Sequence, residues 1–224
     1  MTAAGGTDVR VVVMDVDSTL ITGEVIEMLA GHAGSRAAVT EITERAMRGE
    51  IDFATSLHER VATLAGLPVS VLDDVRGEME LTPGAERLVA ELHRRGWPVG
   101  LVSGGFHELV DPLAERLGIG FVRANRLEVV DGRLTGRVRG PVVDRDAKAH
   151  ALAELAATHG VPMARTVAIG DGANDLGMLA AAGLGIAFNA KPVVCAQADH
   201  AVLDAPLDAV LVHLDAPPVG SPGA

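Results

Sequence analysis

The chain has 224 residues, of which 48% are hydrophobic, so it can bury the core of one large domain or of a core domain with a small insertion. Its 19 basic and 30 acidic residues give a net charge of −11, which disfavours DNA, RNA or an anionic membrane as a partner. A single cysteine, Cys195, excludes an intramolecular disulfide, and without a signal sequence or a bilayer-length apolar stretch we expect a cytoplasmic protein, monomeric or homodimeric.

The first predicted strand covers residues 9–14, an apolar, β-branched run typical of a strand buried on both faces of a parallel sheet. It ends in Asp15 and Asp17, whose side chains point to one side because they are two residues apart. Open α/β sheets bind their ligands at this carboxyl edge. Two carboxylates there repel each other unless a cation or a proton lies between them. An Asp-Ser turn, with Asp17 or Ser18 capping the next helix, is the alternative explanation.

Residues 21–80 show helical periodicity and no convincing strand. The pattern predicts four short helices, separated by glycines, at 24–30, 35–48, 52–64 and 69–78. An insertion directly behind the first strand would form a cap over the carboxyl edge of the sheet. In the third of these helices Arg60 lies within about 20° of Phe53, at the border of the apolar arc. Its guanidinium therefore either extends along the apolar surface to solvent or points into a pocket, where it would bind an anion.

From residue 81 onward strands and helices alternate, which predicts a doubly wound parallel sheet. The fold class is α/β, with a Rossmann-like core at residues 1–21 and 80–215, an inserted small helical-bundle cap at 22–79, and a disordered tail at 216–224. The predicted strands are 98–102, 166–169, 184–188 and 201–203, with a β-hairpin at 122–138 around Asp131-Gly132. The predicted helices begin at Thr82-Pro83 and cover 106–117, 146–159, 173–182 and 206–214.

Two further strands are followed by polar loops that should open on the same edge as Asp15 and Asp17. The loop 103–105 (SGG) offers a hydroxyl and bare backbone N–H groups that can hold a phosphate, although a helix N-cap is the ordinary explanation for this serine and the one that the loop by itself favours. The loop 170–175 (GDGAND) places Asp171 directly after a strand and Asp175 one helical turn later.

Four acids at one edge need a hard cation, and an oxygen ligand set without His or Cys suits Mg2+. Lys148 lies near the start of a helix, where the dipole disfavours a cation. A lysine at such a position is either solvated or able to reach a bound phosphoryl group. Glu24 opens the first cap helix, where an acid also suits the dipole.

The order of these motifs resembles the haloacid dehalogenase superfamily of phosphatases. The residues that carry the resemblance are DVDST at 15–19, SGG at 103–105, Lys148 and GDGAND at 170–175. The cap is similar to that of the phosphoserine phosphatases in this superfamily through Glu24, GEIDF at 49–53 and SLHERV at 56–61, as is GLGIAFNAKP at 183–192. The similarity runs from about residue 9 to 213, with Val16 as a small departure.

The resemblance implies hydrolysis of O-phospho-L-serine, the last step of serine biosynthesis, through an aspartyl-phosphate. It implies that Asp15 attacks phosphorus and that Asp17 transfers the protons. The Mg2+ ligands it implies are the side chains of Asp15 and Asp171 and the backbone carbonyl of Asp17, with Asp175 as support. The substrate-binding residues it implies are Glu24 for the ammonium, Arg60 for the carboxylate, Met47 and Phe53 as apolar walls, and Ser103, Gly104, Gly105, Lys148 and Asn174 for the phosphate.

Other classes of protein stay open. A related phosphotransferase would pass the phosphoryl group to another alcohol, and a broader phosphatase would act on other small phosphomonoesters. A phospho-accepting regulatory module also clusters acids around Mg2+ at a parallel sheet edge, but it needs neither a cap nor a second acid as proton donor. A nucleotide-binding module is disfavoured, because acids crowd the place where pyrophosphate would lie.

Overall fold

The structure is a computed structural model that describes residues 9–215, so the tail predicted at 216–224 lies outside the described residues. A six-stranded parallel sheet forms its centre, in the order β3-β2-β1-β6-β7-β8. These strands are β1 (Val11–Met14), β2 (Val99–Phe106), β3 (Phe121–Asn125), β6 (Thr166–Gly170), β7 (Leu184–Phe188) and β8 (His200–Val202). Strands β4 (Leu127–Val130) and β5 (Arg133–Val138) form a separate antiparallel pair.

Helices cover both faces of the sheet, as a doubly wound fold requires. They are α1 (Val25–Ala33), α2 (Arg36–Met47), α3 (Phe53–Ala62), α4 (Val71–Glu78), α5 (Ala85–Arg94), α6 (His107–Arg116), α7 (Arg145–Thr158), α8 (Leu176–Ala181), α9 (Pro192–Cys195) and α10 (Leu211–Leu214). Among residues 9–215 no helix combines the length and the apolar character that a bilayer crossing requires.

Strand β1 lies at the centre of the sheet and pairs in parallel with β2 on one side and β6 on the other. All four of its residues are fully buried. Val12 and Met14 pack into the hydrophobic cluster on one face, and Val11 and Val13 pack into the cluster on the other. This confirms the predicted fold class, and it explains why the run is apolar without alternation.

The cap is an excursion between β1 and α5 whose two ends lie side by side. Ile21 and Leu81 pair in an isolated antiparallel bridge, and the Thr22 N–H donates to the Glu80 carbonyl at 3.0 Å. The β4-β5 hairpin packs on the cap, where the Leu134 N–H donates to the Leu67 carbonyl at 2.9 Å. The domain boundaries at 21–22 and 79–80 stay predictions.

Three local predictions are wrong in detail. Residues 121–125 are not part of a hairpin but the edge strand β3, which pairs in parallel with β2, while the hairpin turn at Asp131-Gly132 is present as predicted. Strand β2 continues past residue 102 to Phe106. Helix α5 begins at Ala85 rather than at Pro83, because Gly84 at its N-cap has φ +86°. Pro112 lies inside α6, which covers nearly all of the predicted helix at 106–117.

Candidate active site

Asp15 and Lys148 form the centre of the site. Asp15 follows β1 directly, and its N–H donates to the Ile169 carbonyl of β6 at 2.9 Å. The ammonium of Lys148, fully buried on α7, donates to Asp15 Oδ1 at 2.5 Å and to Asp175 Oδ1 at 2.6 Å. An ammonium can be buried in an apolar interior only when nearby negative charges compensate it, and two carboxylates do so for Lys148. The solvated alternative for Lys148 is therefore wrong.

The electrostatics of this group are dominated by burial. Burial, with Asp175 next in importance, raises the pKa of Asp15 well above its usual range. Burial and Asp175 likewise raise the pKa of Asp171, to about 6. Burial alone would lower the pKa of Lys148, but Asp15 and Asp175 outweigh it and the net shift is upward. Negative charge therefore exceeds positive charge in a dry site, which favours a bound cation.

Three carboxylates lie close enough together for their oxygen atoms to bind one cation. Asp15, Asp171 and Asp175 each offer an oxygen atom within 4.8 Å of the others. The Thr19 hydroxyl donates to Asp171 Oδ1 at 3.2 Å, while Asp175 Oδ2 accepts from the N–H groups of Asp171 and Gly172 at 3.1 and 2.9 Å. An all-oxygen donor set of this charge fits Mg2+.

The Asp17 side chain turns away from that cluster. Its Oδ1 accepts from the Val25 N–H, the first of helix α1, at 2.8 Å. Its Oδ2 accepts from the Ser103 hydroxyl at 2.8 Å, and the Gly105 N–H donates to that same hydroxyl at 2.7 Å. Burial raises the pKa of Asp17 even though these hydrogen bonds lower it. Asp17 thus caps a helix, as the alternative explanation held, and it also lies at the site.

Ser103 does not serve as a helix N-cap. Helix α6 begins at His107, with Phe106 at its N-cap, and the Ser103 hydroxyl contacts Asp17 instead. Residues 103–105 fall where the pairing of β2 with β3 is irregular. A Cβ added to Gly105 would lie only 2.8 Å from Asp17 Oδ2, so a larger residue there would displace the carboxylate.

Glu24 lies at the mouth of the site, at the N-cap of α1. The hydroxyl of Ser18, which has φ +57°, donates to Glu24 Oε1 at 2.8 Å. Burial raises the pKa of Glu24 to about 7, and the charge of Asp17 contributes to the shift. A cationic group bound beside Glu24 would stabilise its carboxylate and lower its pKa again.

Helix α3 carries the cap side chains that approach the sheet edge. The ring of Phe53 lies 3.1 Å from the point where a Cβ on Gly104 would stand, and Asn174 Nδ2 is 4.0 Å from it. Arg60 is partly buried, which lowers the pKa of its guanidinium, while Glu24 and Asp17 oppose that shift. Arg60 therefore lies near enough to Glu24 and Asp17 for their charges to act on its guanidinium.

Met47, predicted as an apolar wall, is 63% exposed at the C-terminal end of α2. Its sulfur lies 3.6 Å from the ammonium of Lys191, which belongs to the loop after β7. The cap and the core therefore touch at this point, and Met47 lies at the exposed edge of the cap rather than in the interior.

Sequence reasoning gave no role in the site to three residues that hold it together. Ser18 and Thr19 position Glu24 and Asp171, and their place directly after Asp17 in the motif was the available signal. Asn125 donates to the Gly104 carbonyl at 2.8 Å and accepts from the Val143 N–H at 2.9 Å, so it ties the loop 103–105 to the segment before α7. No signal marked Asn125, because its strand was assigned to the hairpin.

Comparison with known proteins defines the class. The profile of the haloacid dehalogenase-like hydrolases matches residues 12–180, from β1 into α8. This range covers most of the sheet, the cap and every acidic residue of the site. The chain belongs to this family.

Within the family, the chain is similar to phosphoserine phosphatases. It is 62% identical over 206 residues to the phosphoserine phosphatase of Streptomyces coelicolor, covering 92% of this chain but about half (50%) of that relative's length. It is 54% identical to that of Streptococcus thermophilus, covering 91% of this chain and 94% of the relative. A solved structure of a substrate-bound phosphoserine phosphatase superposes with a TM-score of 0.88 at 40% identity, covering 92% of this chain and 99% of that one.

Proposed function

We propose that this protein hydrolyses O-phospho-L-serine to L-serine and phosphate with Mg2+, the last step of serine biosynthesis. The observation that carries the proposal is the buried Asp15 at the end of the central strand, paired with Lys148, beneath a cap that presents both an acid and an arginine. The similarity to phosphoserine phosphatases supports the same activity. A cytoplasmic location and a monomeric or homodimeric state stay predictions.

The donor set supports Mg2+ as the cofactor. The side chains of Asp15 and Asp171 and the backbone carbonyl of Asp17 would hold the ion, and Asp175 would orient Lys148 and the backbone of the 170–175 loop. Two like unit charges at about 4 Å repel by roughly 4 kcal/mol at an effective dielectric of 20, and the bound ion would offset this repulsion between carboxylate and phosphate.

In the proposed reaction a carboxylate oxygen of Asp15 attacks phosphorus, and the bond between phosphorus and the serine oxygen breaks. Lys148 and the hydroxyl of Ser103 bind phosphoryl oxygens, with the N–H groups of Gly104 and Gly105 and the amide of Asn174 beside them. Asp17 donates a proton to the leaving serine oxygen. It then takes a proton from the water that hydrolyses the aspartyl-phosphate.

The cap would recognise the amino acid part of the substrate. Glu24 carries the negative charge that an ammonium needs, and Arg60 offers the bidentate donor that suits a carboxylate. The ring of Phe53 packs against Gly104 and would exclude water from the reacting group. Met47, at the exposed edge of the cap, would contact the substrate only where it enters.

Arg60→Ala is expected to raise KM for phosphoserine about 100-fold, because the variant loses a charged hydrogen bond to the substrate carboxylate. Turnover of an aryl phosphate, which has no carboxylate, should change little. Steady-state phosphate release on both substrates measures the difference. Arg76→Ala on α4, an exposed cap arginine paired with Asp73, is the matched control. Equal losses on both substrates would contradict recognition by Arg60.

Phosphate release from phosphoserine, phosphothreonine and an aryl phosphate tests the proposed function directly. We expect phosphoserine to be preferred and all activity to disappear in excess EDTA, returning when Mg2+ is restored. Addition of an acceptor alcohol distinguishes a phosphotransferase, because a phosphorylated alcohol would then appear. A long-lived phosphoprotein without steady phosphate release would favour the regulatory module instead.

A further inference from the structure

Ser56 has a buried hydroxyl without a hydrogen-bond partner. Its side chain is 1% exposed, and its Oγ contacts no donor or acceptor within the described part of the chain. The other buried side-chain atom of this kind, Asp208 Oδ2, is in an ion pair with Arg87. Buried polar groups are almost always hydrogen-bonded, so this orphaned hydroxyl needs an explanation, and a ligand bound at the neighbouring site is one that would supply its partner.

Ser56 lies on α3 between two residues of the site. It follows Phe53 by three positions and precedes Arg60 by four, and residues at these spacings are neighbours on one side of a helix. Phe53 reaches Gly104, and the Arg60 Nε donates to the Ser56 carbonyl at 3.3 Å. The hydroxyl is therefore one turn from the guanidinium that we assign to the substrate carboxylate.

The helix itself does not supply a partner. The hydroxyl of a helical serine can bond to the carbonyl four residues earlier, which here belongs to Asp52. That carbonyl accepts from the Ser56 N–H at 3.0 Å, and the hydroxyl makes no bond to it. The Asp52 side chain is also engaged, with the N–H and the hydroxyl of Thr55.

We propose that the Ser56 hydroxyl donates a hydrogen bond to the substrate carboxylate beside Arg60, which makes Ser56 a specificity-determining residue. This inference rests on the proposed function. Arg60 supplies charge, and a neutral donor from the same helix fixes the orientation of the carboxylate without adding charge. The ammonium of the substrate is served by Glu24, so the carboxylate is the group that needs a further donor.

The test compares wild-type protein and Ser56→Ala on phosphoserine and on phosphoethanolamine, which keeps the ammonium but has no carboxylate. We expect KM for phosphoserine to rise about tenfold in the variant while kcat changes little. KM for phosphoethanolamine should be the same in both proteins. Ser70→Ala, at the exposed N-cap of α4 where the side chain makes no capping bond, is the matched control.

The thermal stability of the variants distinguishes a role of Ser56 in substrate recognition from a role in packing. Ser56→Ala removes a hydroxyl that lacks a partner, so Tm should stay the same or rise. Ser56→Cys keeps the shape of the side chain, with a somewhat larger atom and a much weaker donor, and it should show the same rise in KM even if the alanine variant folds poorly.

Three results would overturn the inference. An unchanged KM for phosphoserine would show that the hydroxyl does not meet the substrate. Equal shifts on both substrates would indicate packing or contact with the ammonium. Wild-type protein that releases no phosphate from phosphoserine would overturn the proposed function itself, whereas normal wild-type activity with an unaffected variant overturns only the role of Ser56.

Discussion

Asp15→Asn is expected to abolish phosphate release while the protein remains folded. A carboxamide cannot form the aspartyl-phosphate, and loss of a covalent nucleophile lowers turnover by about 10⁴-fold or more in other enzymes. The fold should survive, because the asparagine amide has nearly the size of the carboxylate and its oxygen can still accept from Lys148. Lys148 keeps Asp175 as a partner. Phosphate release and a thermal melt, both measured with Mg2+, check the two parts of this expectation.

Asp74→Asn provides the control for Asp15→Asn, because it makes the same chemical change on the exposed surface of α4. It should preserve both activity and Tm. An Asp15→Asn protein that still turned over phosphoserine at a substantial fraction of the wild-type rate would place the nucleophile elsewhere. A protein that failed to fold would contradict the electrostatic account of the site.

Lys148→Met should destabilise the protein strongly as well as inactivate it. Removing one partner of a buried ion pair costs about 3–5 kcal/mol, because the remaining charges stay buried without compensation. For a domain of this size each kcal/mol corresponds to about 2–4 °C, so Tm should fall by roughly 6–20 °C in metal-free buffer. The stranded groups are the carboxylates of Asp15 and Asp175.

A double variant sharpens the test of Lys148. Adding Asp15→Asn to Lys148→Met removes one of the two stranded charges, so the double variant should melt above Lys148→Met alone. Lys191→Met, which changes the exposed lysine of the chain, should leave the free energy of unfolding within about 0.5 kcal/mol. A small effect of Lys148→Met, or no recovery in the double variant, would mean that the ion pairs contribute little to the fold.

Several features could be read from local pattern alone. Residues 11–14 form a strand because the run is apolar and β-branched, and the hairpin turns at Asp131-Gly132 because both residues adopt positive φ. Parallel strands then bring Asp15 and Asp171 to one edge, because β1 and β6 are neighbours in the sheet. The strand and the turn need only the periodicity of a segment or the type of residue at the turn, and the shared edge needs in addition the rule that parallel strands end on the same side.

Other features depended on partners that are distant in the chain. Lys148 is buried because of Asp15, 133 residues away, and Ser103 is drawn from a capping role by Asp17, 86 residues away. The pattern of residues 122–125 predicts part of a hairpin, because it does not reveal that β3 pairs with β2.

The amino-acid order was therefore sufficient for the strands other than β3, the acids at their ends and the inserted helices, because backbone preference and periodicity are local properties. Only the tertiary structure determines which partner each acid has, that Lys148 is buried and that the Ser56 hydroxyl has no partner. Those outcomes depend on which side chains share a dry space, and that is a property of three-dimensional packing.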